Sequence, residues 1–197
     1  MTNMVITISR EYGSGGRQIG EQLAKELGFA FYDKDLLKIV AEKSGIDEEV
    51  IRKADEEAAN PLFATYYPPH LDPGSFNDKV FKMQADLIRE KAATENCVIV
   101  GRCGNYILEE AENAVHVFIY ADEEAKIAHT MERHQIGRDE AEKRIKKIDK
   151  QRRTYYQYYT EWKWARTEGF DIMLNSSALG VDATVAAIKA VVEAKRG

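Results

Sequence analysis

Val5-Ile6-Thr7-Ile8-Ser9-Arg10-Glu11-Tyr12-Gly13-Ser14-Gly15-Gly16-Arg17-Gln18-Ile19-Gly20 is the stretch from which the rest of the chain can be read. Its opening, Val5 to Ile8, is apolar and β-branched and predicts a short buried strand. Three glycines in four residues follow, and Ile19, Leu23, Ala24 and Leu27 then recur at helical spacing. Strand, glycine-rich turn and helix in that order make a phosphate cradle. Glycines let backbone N–H groups converge on an anion, and the new helix turns its positive end toward the same point. An ordinary β-to-α turn is the plainer alternative; the flanking elements and the cation at Arg17 favour the cradle.

The loop departs from the P-loop motif Gly-x-x-x-x-Gly-Lys-Ser/Thr in ways that matter. Gly16-Arg17 replaces Gly-Lys, so a positive side chain is kept. Glu11 stands at the first glycine position, and Gln18 stands where a hydroxyl would approach Mg²⁺. Arginine forks onto two phosphate oxygens whereas lysine acts as a point charge, so the exchange is not neutral.

Composition narrows the class. At 197 residues with 44% hydrophobic and 31% charged content, the chain can bury one sizeable core. No apolar run approaches the ~20 residues of a membrane span, and no basic-then-apolar leader is visible at the N-terminus, so a cytoplasmic protein is expected. The two cysteines, Cys97 and Cys103, have no histidine partner and read as reduced thiols. His70, His116, His129 and His134 lack ligand spacing, so no metal site is expected. Net charge is −5, yet residues 126–166 hold 12 Lys/Arg against 6 Asp/Glu, leaving −11 elsewhere. A basic segment in an acidic protein points to a localised anion site rather than to general nucleic-acid binding.

Taken in order, a helix from Arg17 to Leu27 is closed by Gly28, and Phe29–Tyr32 is a second strand. Asp33 follows that strand, placed either to contact a substrate or to cap the next helix. Asp47 to Lys53 starts a further helix, residues 60–74 form a long Pro- and Tyr-rich connection, and Phe81–Ala93 is helical again. Residues 47–93 thus predict a helical insertion. Cys97–Val100 reads as a central parallel strand ending in Gly101-Arg102, an arginine placed to fork onto phosphate. Ala114–Tyr120 and Asp171–Asn175 are further strands, and Val181–Lys195 is a closing amphipathic helix. Strands alternating with helices predict a three-layer α/β fold on a parallel sheet, whose carboxyl edge gathers Arg17, Asp33 and Arg102.

The basic segment, residues 126–160, predicts a lid-like helix from Asp139 to Arg153. Asp149 lies three and four residues before Arg152 and Arg153 and can hold a guanidinium ready for phosphate. Two other readings stand beside this one. One is a solvated charged helix; the other is a single-strand nucleic-acid platform using Tyr155, Tyr156, Tyr158 and Tyr159. These tyrosines cannot share one helical face, which predicts that several pack inward.

Together the motifs resemble the cytidylate kinase-like family, a branch of the P-loop nucleoside monophosphate kinases. The resemblance is carried by Ile8–Arg17, Tyr32-Asp33-Lys34, Val98–Arg102 and Ile148–Tyr156. It implies a five-stranded parallel P-loop NTPase core, an NMP-binding insertion, a lid, and phosphoryl transfer from ATP with Mg²⁺ held through phosphates and water. In site terms it implies donor contacts from Gly13, Ser14, Gly15, Gly16, Arg17, Gln18 and Arg133. Acceptor contacts would come from Asp33, Arg102, Asp149 and Arg152, with Arg17, Arg102, Arg152 and Arg153 acting on the transferring group. The expected partners are small nucleotides, CMP or dCMP as acceptor, with no membrane or nucleic acid; a second copy of the chain is left open. Where the family's lid carries a further arginine four residues before its aspartate, this chain has Ile145. The unusual loop keeps two alternatives in play: a nucleotide-binding module without turnover, and a kinase for another small acceptor.

Overall fold

The computed structural model describes residues 3–58 and 75–196. Its centre is β1 (Val5–Arg10), which pairs in parallel with β3 (Cys97–Val100) on one side and β4 (Ala114–Tyr120) on the other. β2 (Ala30–Tyr32) adds beyond β3, and β5 (Ile172–Asn175) beyond β4, giving the order β2-β3-β1-β4-β5 with every pairing parallel. All carboxyl ends therefore open on one edge, where Arg10 ends β1 and Asp33 and Gly101-Arg102 follow β2 and β3.

Period-two alternation divides the apolar residues of the sheet between two layers. Ile6, Ile8, Val98 and Val100 pack on α1 (Gly16–Leu27) and α8 (Ser176–Arg196), through Ile19, Leu23, Val185 and Ile188. Val5, Cys97 and Ile99 face the other layer. That layer is built from α2 (Asp35–Ser44), α3 (Glu48–Ala58), α4 (Phe76–Thr94), α5 (Gly104–Ile107) and the end of α7 (Arg138–Thr160). Each fully buried Leu or Ile contributes about 1.5–3 kcal/mol to this core. α6 (Glu123–His134) leads into α7 through Gln135 and Gly137. Among the described residues no helix is long and apolar enough to cross a membrane.

The five strands and the Gly28 cap of α1 fall where the sequence places them. The helices are longer than expected, each for a local reason. α4 starts at Phe76 rather than Phe81 because the Ser75 hydroxyl accepts the Asp78 N–H at 3.1 Å, a cap that recruits an extra turn. α3 runs past Lys53 to Ala58, burying Ala54 and Ala58. α7 continues through the tyrosines to Thr160, since Tyr155 and Tyr156 turn into the core while Arg153 and Gln157 face outward. The closing helix begins at Ser176 but breaks at Gly180, so its regular part starts at Val181 as expected. Asp33 does not cap α2: that position falls on Lys34, which makes no side-chain cap bond. Cys97 and Cys103 are free and buried. The long connection predicted over residues 60–74 lies outside the described residues.

The loop after β1 is braced from several sides. Ser14 Oγ donates to the Glu11 carbonyl at 2.9 Å, and Ser176 Oγ donates to the Ser14 carbonyl at 2.7 Å. Glu11 accepts Lys126 Nζ at 2.9 Å, which ties the loop to α6. Gly13 has φ +83°, and a Cβ there would lie 2.8 Å from the Lys126 carbonyl oxygen. Gly13→Ala is therefore expected to cost about 2 kcal/mol or more and to lower Tm by several degrees in thermal unfolding. Gly28→Ala, at φ +67° with open space around it, is the control and should cost only the backbone strain, about 1 kcal/mol.

Candidate active site

Two adjoining cavities open at the carboxyl edge of the sheet. The first, about 390 Å³, lies over the loop and is lined by Gly13, Gly15, Gly16, Arg17, Gln18 and Arg133, among others. The second, about 210 Å³, lies between the ends of β1, β2 and β3 and the underside of α7. Arg102, Asp55, Gln151, Tyr155 and Trp164 contribute to its wall. Arg10, Asp33, Lys34, Ile148 and Arg152 line both, so the cavities meet at these side chains. An elongated anionic ligand pair, one member in each, would touch at this junction.

The first cavity has the features of an anion site. Left-handed backbone at Gly13 and Gly15 wraps the loop, and α1 begins at Gly16 with its N–H groups facing the cavity mouth. Thr130 also lines it, is 1% exposed, and finds no hydrogen-bond partner for its Oγ1 among the described residues. A buried hydroxyl left unpaired is costly in a protein alone and is relieved by a polar ligand. For a metal the chain itself offers little. Gln18 occupies the hydroxyl position, and among the described residues no group of three His, Cys, Asp or Glu could hold an ion. Mg²⁺ would be carried on phosphate oxygens and waters, in keeping with its reluctance to dehydrate.

Arg17 meets Asp33 through Nε at 2.8 Å, so the loop cation is braced by the strand-two carboxylate. The same carboxylate lies 3.9 Å from Arg10. Arg152 donates from Nη1 to the Arg10 carbonyl at 3.1 Å and approaches Asp149 at 3.5 Å. Asp149 Oδ1 also accepts the Tyr12 N–H at 2.7 Å. Burial pushes the Asp149 carboxyl up despite that N–H and Arg152, and burial pulls Arg152 down despite Asp149. Arg102 is held by Asp55, which also accepts from Gln84 Nε2 at 3.1 Å and Tyr155 OH at 3.3 Å. Burial alone would lower Arg102, but the Asp55 carboxylate and Tyr155 keep it above its ordinary value.

The structure therefore brings together Gly13, Gly15, Gly16, Arg17, Gln18, Arg133, Asp33, Arg102 and Arg152. Three expected residues sit elsewhere. The Ser14 side chain is buried and turned into the loop. Asp149 lines neither cavity and acts from behind, joining Tyr12 to Arg152. Arg153 is exposed, with its guanidinium 5.8 Å from the Trp164 ring, because one helical step past Arg152 points away from the edge. Arg10 and Asp55 are the residues that sequence reasoning misses, and both sit in stretches whose local pattern says only strand or charged helix.

The cytidylate kinase-like family profile matches residues 5–178, which include both cavity walls and all five strands. The chain belongs to the cytidylate kinase-like family. It is accordingly a kinase-like protein with a P-loop-type nucleotide cradle. Among solved structures this cytidylate kinase-like chain is similar to an uncharacterized protein from Eubacterium ventriosum, at 28% identity and TM-score 0.75. That match covers 97% of this chain and 99% of the other. The shikimate kinase from Bacteroides thetaiotaomicron aligns at 14% identity and TM-score 0.56, covering 96% and 98% of the two chains. A gluconokinase from Sinorhizobium meliloti aligns at 15% and 0.53, covering 98% and 95%. At such identities the last two speak for the P-loop kinase fold alone. No curated protein matches the chain.

Proposed function

We propose that this cytidylate kinase-like protein transfers a phosphoryl group from ATP to a nucleoside monophosphate, with CMP or dCMP as the first acceptor to test. The observation that carries the reading is the pair of cavities joined through Arg10, Asp33 and Arg152. Phosphoryl transfer asks a protein for alignment and charge neutralisation more than for covalent chemistry. Amides of Gly13 to Gly16 and the Arg17 guanidinium would hold the donor's β- and γ-phosphates. Arg102 and Arg152 would orient the acceptor phosphate in the smaller cavity, beneath α7. Apolar cover from Ile148, Tyr155 and Trp164 would keep water off the junction and so limit idle hydrolysis. Mg²⁺, when bound, would add charge neutralisation on the β- and γ-oxygens.

A second reading is favoured by one specific feature. Arg102 is already engaged by Asp55, and the acceptor cavity measures only about 210 Å³ among the described residues. A smaller acceptor carrying its own hydrogen-bond donors for Asp55 would suit that arrangement. ADP formation from ATP and Mg²⁺, with CMP, dCMP, UMP, AMP and GMP supplied singly, separates the readings. Turnover with CMP or dCMP above the others is the expected result. Silence across the panel with ATP still bound would move the assignment to another small acceptor or to a module without turnover.

A further inference from the structure

Nothing in the loop motif singles out Arg10, the last residue of β1, yet the fold is arranged around its side chain. Gly16 makes room for it: a Cβ there would lie 2.6 Å from Arg10 Cβ. Gly101 makes room for its far end, since a Cβ at that position would run into the guanidinium. The guanidinium makes no hydrogen bond among the described residues. Its nearest carboxylate oxygen, Asp33 Oδ1, is 3.9 Å away, and the other oxygen of that carboxylate is taken by Arg17 Nε at 2.8 Å. Two cations, Arg152 and Arg102, also crowd it, set against the carboxylates of Asp33 and Asp149. Burial first, then Arg152 and Arg102, push it down to about 9, with Asp33 and Asp149 opposing. An arginine kept for structural reasons is ordinarily paired and hydrogen-bonded, because an uncompensated buried charge is costly. A crowded guanidinium that lines both cavities, with no hydrogen bond among the described residues and only a long contact to Asp33, is arranged for an anion that arrives later.

We propose that Arg10 is a catalytic residue that contacts the phosphoryl group in flight, where the donor and acceptor cavities meet. The proposal rests on the kinase reading above and adds to it a residue outside the loop motif. In the transfer, the bond from the γ-phosphorus to the β,γ-bridging oxygen breaks, and ADP leaves with that electron pair. A bond from an acceptor phosphate oxygen to the same phosphorus forms, and no proton moves if that oxygen belongs to a dianionic phosphate. Negative charge rests on the equatorial oxygens throughout. A forked donor fixed between the two sites meets those oxygens without reorganising, as electrostatic stabilisation requires. Arg17 would then hold the donor's phosphates, while Arg10 would hold the group being passed.

The test is equilibrium binding of ATP and ADP, each with Mg²⁺ and no acceptor, to the full chain and to Arg10→Met. ATP presents the γ-phosphate to Arg10 and ADP does not. Loss of a charge-assisted contact is expected to weaken ATP by roughly 10–100-fold while ADP stays within about twofold. Arg10→Lys, which keeps the charge and loses the fork, should fall between and serves if the methionine variant does not fold. Unliganded Arg10→Met is expected to hold or raise Tm, because the cationic crowding is relieved. Equal weakening of both nucleotides, no weakening of either, or a lower Tm with an unchanged ATP-to-ADP ratio would overturn the proposal. If the unaltered protein binds neither nucleotide, the donor site itself fails and this role falls with it.

Discussion

Arg17→Ala is expected to lower kcat by about 10³, some 4 kcal/mol of barrier, under conditions in which the unaltered protein turns over. In the proposed transfer Arg17 would put a fixed positive charge on the donor, and Asp33 braces it at 2.8 Å. Removing it leaves the backbone amides of Gly13 to Gly16 to hold the phosphates alone. Those amides would bind ground state and transition state more evenly, so KM for ATP should rise far less than kcat falls. Arg17→Lys restores the point charge without the fork and should recover most of the loss, ending within about tenfold of the parent. Wild-type turnover in Arg17→Ala would remove Arg17 from the mechanism.

Arg102→Met is expected to be the most destabilising of the site variants, at about 3–5 kcal/mol and roughly 10 °C in Tm. The reason is Asp55, 8% exposed, whose carboxylate would remain buried with hydrogen bonds from Gln84 and Tyr155 but no counter-charge. Tyr155 would be drawn in as well, since burial and Asp55 already hold its hydroxyl well above the usual phenol range. Removing both partners tells a different story. Arg102→Met with Asp55→Leu replaces a buried ion pair by apolar groups and should return most of the lost stability. Thermal unfolding of the two single variants and the double variant reads this coupling directly. The double variant should fold and still fail to phosphorylate an acceptor, which separates what Arg102 does for the fold from what it does for the substrate. A double variant as unstable as Arg102→Met would mean that the pair is not the source of the effect. The exposed pair between Arg138 and Glu124 is the contrast: solvent screens it, and breaking it should change little.

How much of this was legible beforehand follows from the range over which each feature is encoded. The strands are continuous apolar runs, and the glycine-rich turn and Gly28 cap are short-range signals, so the sheet and α1 could be read from neighbours in sequence. Arg17, Asp33 and Arg102 follow strand ends, and in a parallel sheet strand ends share an edge; topology alone brings them together. Arg10 and Asp55 carry no such mark. Asp55 lies in Lys53-Ala54-Asp55-Glu56, which looks like a solvated helix face, and only docking of α3 against α4 and α7 reveals that it points inward. Arg10 ends a strand whose other residues are core. Its exceptional surroundings are supplied by Gly16, Gly101 and Arg152, three segments that meet only in the folded chain. Arg152 and Arg153 make the same point at finer grain. Both follow Asp149 at helical spacing, and the roll of α7 over the sheet decides that one reaches the cavities and the other lies on Trp164.

The space that Gly16 and Gly101 leave for Arg10 has a consequence for how such a chain can change over generations. A side chain acquired at either glycine would have no room while the arginine is present, and losing the arginine would leave a hollow that other residues could drift in to fill. The three positions are thus a single steric decision, spread over two strands' ends and the start of a helix. The order of exchange is therefore fixed: the arginine can be given up first and the glycines filled afterwards, whereas filling either glycine first passes through a form that packs badly.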